Sequence, residues 1–144
     1  IVEIETVKAL MNAGHAVIAA GGGGIPVVQE ENFHLKGVPA VIDKDFASER
    51  MAEQLDADML IILTAVEKVA INYRKENEQW LSELTPDEAR RYAAEGQFAP
   101  GSMLPKVQAA VAFAESKPGR TALITLLEKA KDGIAGKTGT AIHM

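Results

Sequence analysis

The sequence predicts an α/β fold with a mainly parallel sheet, on three observations. Runs such as Met59 to Leu63 and Thr121 to Leu126 are apolar almost throughout, the character of strands covered on both faces. They alternate with segments whose apolar residues recur at helical spacing. Thr85-Pro86-Asp87-Glu88 is a strong helix start, with Thr85 as cap, Pro86 at the first helical position and Glu88 three residues after the cap. Such alternation implies helices on both sheet faces and ligand sites at the carboxyl ends of strands.

Taken in order, Ile1, Ile4, Val7, Leu10 and Met11 define an amphipathic helix that ends at Asn12 and Gly14. No Ser, Thr, Asp or Asn precedes its first apolar residue, so the chain is expected to begin inside an element, at a fragment boundary. His15 to Ala20 reads as a strand, Gly21 to Gly24 breaks it, and Val38 to Ile42 reads as a second strand. Asp45 can cap a helix carrying Ala47, Met51, Ala52 and Leu55 on one face, and Asp58 precedes the strand Met59 to Leu63. Val69 to Trp80 turns polar and aromatic, suggesting a short strand and a surface excursion. The helix from Thr85 stops at Gly96, and Val107, Ala110, Val111 and Ala114 form the stripe of another. Pro118-Gly119 leads into Thr121 to Leu126, and a glycine-rich stretch from Gly133 to Gly139 closes the chain. No internal repeat is evident.

Composition excludes several classes. The 144 residues are 47% apolar and 24% charged, ordinary for one globular domain. Fifteen basic against twenty acidic residues give a charge of −5, and no basic stretch offers a footprint for nucleic acid. Cysteine is absent, so neither disulfides nor thiolate chemistry arises, and a reducing cytoplasm fits best. The longest apolar run, five residues at Met59 to Leu63, falls far short of the roughly 20 a membrane helix needs, so no membrane is expected as a partner. His15, His34 and His143 share no spacing with acidic residues, and no protein-ligated metal is expected.

Two phosphate motifs fail on inspection. Counting from Gly21 through Gly23, the third glycine of a dinucleotide fingerprint would fall at Pro26. Gly136-Lys137-Thr138 imitates the end of a P-loop, whose first glycine would fall at Lys131. The Gly21 to Gly24 run can expose amide donors to an anion, or can simply be a sharp turn. Asp43-Lys44-Asp45 is more informative, with a cation between two carboxylates at a strand end and helix start. Lys44 can neutralise phosphate oxygens while Asp45 orients the lysine, which suits phosphoryl transfer; Asp45 as a helix cap is the plain alternative. Lys106 follows Gly101-Ser102-Met103-Leu104-Pro105 at a helix start that favours anions, or is a solvated surface lysine.

Four segments carry a resemblance: Ala19 to Val27, Val41-Ile42-Asp43-Lys44-Asp45, Phe98 to Val107 and Gly136-Lys137-Thr138-Gly139-Thr140. With Thr64 to Val69 and Ile71-Asn72-Tyr73, they resemble carbamate kinase along essentially the whole chain and in family order. The resemblance implies the amino-acid-kinase fold, a three-layer αβα sandwich, and reversible phosphoryl transfer between ATP and carbamate, or from carbamoyl phosphate to ADP, with nucleotide-bound Mg2+. It implies that Lys44 and Lys106 contact the nucleotide phosphates, that Asp45 organises the lysines with Asp43 in support, and that Gly21, Gly22, Gly23 and Gly24 border the reacting groups. Ala65, Val66, Tyr73, Met103 and Pro105 would house adenine, although Tyr73 and Met103 are more often packing residues. Trp80 has no catalytic role on this reading. A homodimer is implied for the full-length protein. The family's amino-terminal half, with most acyl-substrate contacts, is absent, so residues 1–144 are expected to be the carboxy-terminal nucleotide-binding portion, incomplete for the whole reaction. An inactive nucleotide-binding fragment and another acyl-phosphate-forming kinase of the same superfamily remain the rival readings.

Overall fold

A computed structural model describes residues 1–144. Its centre is a four-stranded sheet, one of whose two inner strands is the apolar run β7 (Thr121–Leu126). β7 pairs in parallel with β3 (Met59–Thr64), from Met59 opposite Thr121 to Thr64 opposite Leu126. On its other side it runs antiparallel to β8 (Thr140–Ile142), which pairs in parallel with β6 (Glu83–Leu84). Two of the three pairings are thus parallel.

Because successive strand residues point to opposite faces, β7 presents two surfaces. Ala122 and Ile124 join the core made with Val107, Ala110, Phe113 and Ala114 of α4 (Met103–Glu115). Leu123 and Thr125 face the other way, toward Gly133 of α5 (Ala130–Ile134) and toward Gly139. The central strand therefore carries a helix on each face, and Phe113 and Ile124 have no exposed surface. Each such large side chain contributes about 1.5–3 kcal/mol relative to exposure.

α3 (Pro86–Ala94) starts as its sequence predicts. The Thr85 hydroxyl accepts from the Glu88 amide, and the Glu88 carboxylate accepts from the Thr85 amide. That backbone bond, then the Thr85 hydroxyl, hold the Glu88 carboxyl below its ordinary pKa. Arg90 reaches across to Glu115, joining α3 to α4. At the amino end, α1 (Ile4–Asn12) buries only Val7 and leaves Leu10 and Met11 exposed. No helix is long and apolar enough to cross a membrane.

Several expectations are corrected. His15 to Ala20 and Val38 to Ile42 are not strands; both run as irregular backbone. A strand needs a neighbour to take its amide and carbonyl groups, and neither segment pairs with another in this chain. Between them lies an antiparallel hairpin not foreseen, β1 (Val27–Gln29) with β2 (Leu35–Gly37). Val69 to Trp80 is more ordered than expected, since β4 (Val69–Ile71) and β5 (Gln79–Leu81) form a hairpin whose first strand is wholly buried. The glycine-rich close of the chain, Gly133 to Gly139, begins in the last turn of α5 and leads directly into β8, also unforeseen.

Candidate active site

The site begins at α2 (Lys44–Gln54). Asp43, in extended conformation, is its cap: one carboxylate oxygen accepts from the amides of Asp45 at 2.8 Å and Phe46 at 3.4 Å. The expectation that Asp45 caps this helix is thereby corrected. An aspartate inside the first turn is free of capping duty, and Asp45 spends its buried carboxylate on Lys106.

Lys106 donates from Nζ to both Asp45 oxygens, at 2.9 and 3.2 Å, across 61 residues of sequence. Its side chain is only 13% exposed, so it is not a solvated surface lysine. Lys44 lies on the same carboxylate, Nζ 3.9 Å from Oδ2, but is 58% exposed and free to swing toward a ligand. Two cations thus share one buried anion. Removing either partner of the buried pair leaves an uncompensated charge, which costs about 3–5 kcal/mol in comparable pairs.

The glycine loop is brought to the same place. Gly23 has φ of +138°, and a Cβ there would lie 2.0 Å from the carbonyl oxygen of Ile42, the residue before the α2 cap. Only glycine permits that approach. Gly21, Gly22 and Gly24 meet nothing within 4 Å at their Cβ positions and stand open beside it.

One helical turn from Lys106, the start of α4 enters a cavity of about 480 Å³, within the usual range for small-ligand sites. Its walls come from three places. Thr64, Ala65 and Val66 extend from the carboxyl end of β3, the position where α/β sheets bind ligands. Ala70, Asn72, Tyr73 and Trp80 belong to the β4–β5 hairpin. Gly96, Gln97, Ser102 and Met103 lie between α3 and the first residue of α4. Gln97 joins two walls, its side-chain oxygen accepting from the Asn72 amide at 2.9 Å. Tyr73 and Trp80 meet edge to face at 5.9 Å and are both half-exposed at the rim.

Of the residues expected to house adenine, Ala65, Val66, Tyr73 and Met103 line this cavity and Pro105 does not. Two helical positions beyond Met103 a side chain points about 200° around the axis, so Pro105 cannot share its wall. Sequence reasoning missed Asn72, Gln97 and Trp80. Asn72 and Trp80 belong to the hairpin, whose turn holds Asn72 and Arg74 at positive φ without a glycine to mark it, while Gln97 lies beyond the end of α3.

The family model for the amino acid kinase family matches residues 1–125, and the chain belongs to that family. Within it, the sequence is similar to carbamate kinases. It is 68% identical over 142 residues to the carbamate kinase-like protein YqeA of Escherichia coli, covering 99% of this chain and 46% of that one. It is 53% identical to the carbamate kinase of Clostridium perfringens, covering 99% and 45%. The structure of Giardia lamblia carbamate kinase bound to AMP-PNP superposes with a TM-score of 0.92 at 43% identity, covering 99% of this chain and 49% of that one. The fold is therefore the αβα arrangement of amino acid kinases, and the chain spans about half the length of the relatives it matches.

Proposed function

We propose that these residues are the carboxy-terminal nucleotide-binding portion of a carbamate kinase, a cytoplasmic homodimer at full length, which transfers phosphoryl groups reversibly between ATP and carbamate. The observation that carries this reading is the placement of Lys106: one turn inside α4, paired with Asp45, where the same helix enters the cavity. A base among Ala65, Val66, Tyr73 and Met103 would direct its phosphates along the start of α4 toward Lys106 and Lys44. The Giardia relative's complex with AMP-PNP supports a nucleotide as the ligand.

In the transfer, a carbamate oxygen attacks the γ-phosphorus as the bond to the β-phosphate oxygen breaks, and ADP leaves. The chain's task is positioning and charge stabilisation. Lys44 and Lys106 offset the charge spread over the transferred group, Asp45 holds their geometry, and the Gly21 to Gly24 backbone stands beside it. When bound with the nucleotide, magnesium would supply further neutralisation of the phosphate charge. It fits these residues without a protein carboxylate, since Asp43 is committed to its helix and Asp45 to Lys106. The acyl-substrate contacts would lie in the remainder of the relatives' length, and the solvent-facing Ile18, Ile25 and Val41 support a reading in which that remainder covers them.

The test is ATP formation from ADP and carbamoyl phosphate by the full-length protein. Lys106→Met should lower kcat by at least about 100-fold, the scale of losing one transition-state donor. Because that variant strands Asp45, the double variant Asp45→Asn/Lys106→Met should recover stability and stay inactive. Turnover near wild type in either variant rejects the role of Lys106. Transfer to a different acyl acceptor, with none to ADP from carbamoyl phosphate, would instead favour another kinase of the superfamily.

A further inference from the structure

The segment Gly136-Lys137-Thr138-Gly139-Thr140, which fails as a P-loop, lines no part of the cavity. We propose that it is a latch for the cavity's hairpin wall, with Thr140 as the positioning residue; this rests on the nucleotide reading of the cavity. Val69 and Leu81 oppose each other at the base of the β4–β5 hairpin. The Val69 amide donates to the Thr140 hydroxyl at 2.8 Å, and that hydroxyl donates to the Leu81 carbonyl at 2.5 Å. A single side chain in β8 therefore uses its donor and acceptor capacity to close both hairpin strands onto the central sheet. Thr140 has no exposed surface, so water cannot replace it, and losing the hydroxyl would strand the buried Val69 amide.

Its neighbours act on the same base. The Ala141 amide donates to the Ser82 carbonyl at 2.9 Å, the Thr138 hydroxyl donates to the Glu67 carboxylate, and the Thr125 hydroxyl donates to the Glu67 carbonyl at 3.4 Å. Gly139, between the two threonines, has φ of +89°, and a Cβ there would sit 2.7 Å from Leu123 Cδ1 and 3.1 Å from the Ile124 carbonyl oxygen. The segment lies against β7 in a way only glycine allows. Beyond this base, the hairpin carries Ala70, Asn72, Tyr73, Lys75 and Trp80 into the cavity wall.

Thr140→Val keeps the side-chain shape and removes both bonds; Thr140→Ser restores them. Trp80, the single tryptophan, precedes Leu81 and reports on the hairpin. Acrylamide quenching of Trp80, hydrogen exchange at Val69 and calorimetric titration with ADP are measured on each variant. Thr140→Val should lower Val69 protection at least tenfold relative to amides of β3 and β7, increase Trp80 quenching, and raise the ADP Kd about tenfold. Thr140→Ser should return within about twofold of wild type. A lower Tm with Trp80 quenching and ADP affinity unchanged would mean general stabilisation only and would overturn the latch. Should Thr140→Val not fold, Thr138→Val, at the surface, replaces it: a rise in quenching and a few-fold rise in Kd support the latch, and unchanged values overturn it. If the wild-type protein binds no ADP while Thr140→Val still loosens Trp80, the nucleotide reading fails and the latch stands.

Discussion

Residues 59–142 and residues 15–43 hold apolar runs of similar character that meet different surroundings. In the first region Leu60 and Ile62 of β3 are buried against α4 and β7. In the second, Ile18 is 101% exposed and Val41 95%, and no strand runs beside either. The difference teaches that an apolar run becomes a strand only where a neighbour takes its backbone hydrogen bonds; hydrophobicity alone supplies the appetite for burial without the ladder. β3 itself buries Leu60 and Ile62 on one face and leaves Met59 and Leu63, on the other, partly exposed.

The largest expected effect comes from matched truncations in the two regions. Phe113→Ala, at a fully buried position under the Arg120 guanidinium, should cost about 3–5 kcal/mol in urea denaturation. Phe33→Ala, at an exposed position of the β1–β2 hairpin, should change stability by no more than about 0.5 kcal/mol. Equal losses would break the comparison.

The smallest effect falls on the corner where α2 leads from one region into the other. Burial pushes the Glu49 carboxyl above its ordinary pKa, more than the neighbouring Arg50 offsets. A raised folded value means its favourable contribution is complete below the ordinary carboxylate range and is lost as pH rises through the folded value. Glu49→Gln should therefore raise Tm slightly at pH 7, and the gain should vanish near pH 4, by scanning calorimetry. Asp56 has the opposite sign: hydrogen bonds from Lys117, then Arg120, hold it low, so its contribution is present above the ordinary range and fades as acid protonates it. A Tm of Glu49→Gln below wild type at pH 7 would remove burial as the dominant influence on that carboxylate.

The legible parts of the fold were those whose signals are local or two-sided. Thr85 and Glu88 make their capping bonds within one turn, and Thr121 to Leu126 is apolar because both sheet faces are covered. His15 to Ala20 and Val38 to Ile42 misled because a strand's existence depends on residues elsewhere in space. At the site, Lys44, Asp45 and Lys106 were singled out by the Asp43-Lys44-Asp45 pattern, the helix start before Lys106 and the family resemblance, and the structure brings both lysines to the buried Asp45 carboxylate. Asp43 rather than Asp45 as cap was not, since both sit at plausible distances from the helix start and only the extended backbone of Asp43 decides. Gln97 and Trp80 carried no pattern at all; Trp80 is placed by a hairpin turned without glycine, and Gln97 by the segment between α3 and α4.

On the proposed reading, a cavity wall and a buried ion pair, both reached from the start of α4, serve one nucleotide. A crystal structure with ADP tests it most directly. Adenine should lie between Val66, Tyr73 and Met103, with phosphate oxygens within hydrogen-bonding reach of the Nζ atoms of Lys106 and Lys44. Phosphates directed away from both lysines, or a base bound outside this cavity, would contradict it.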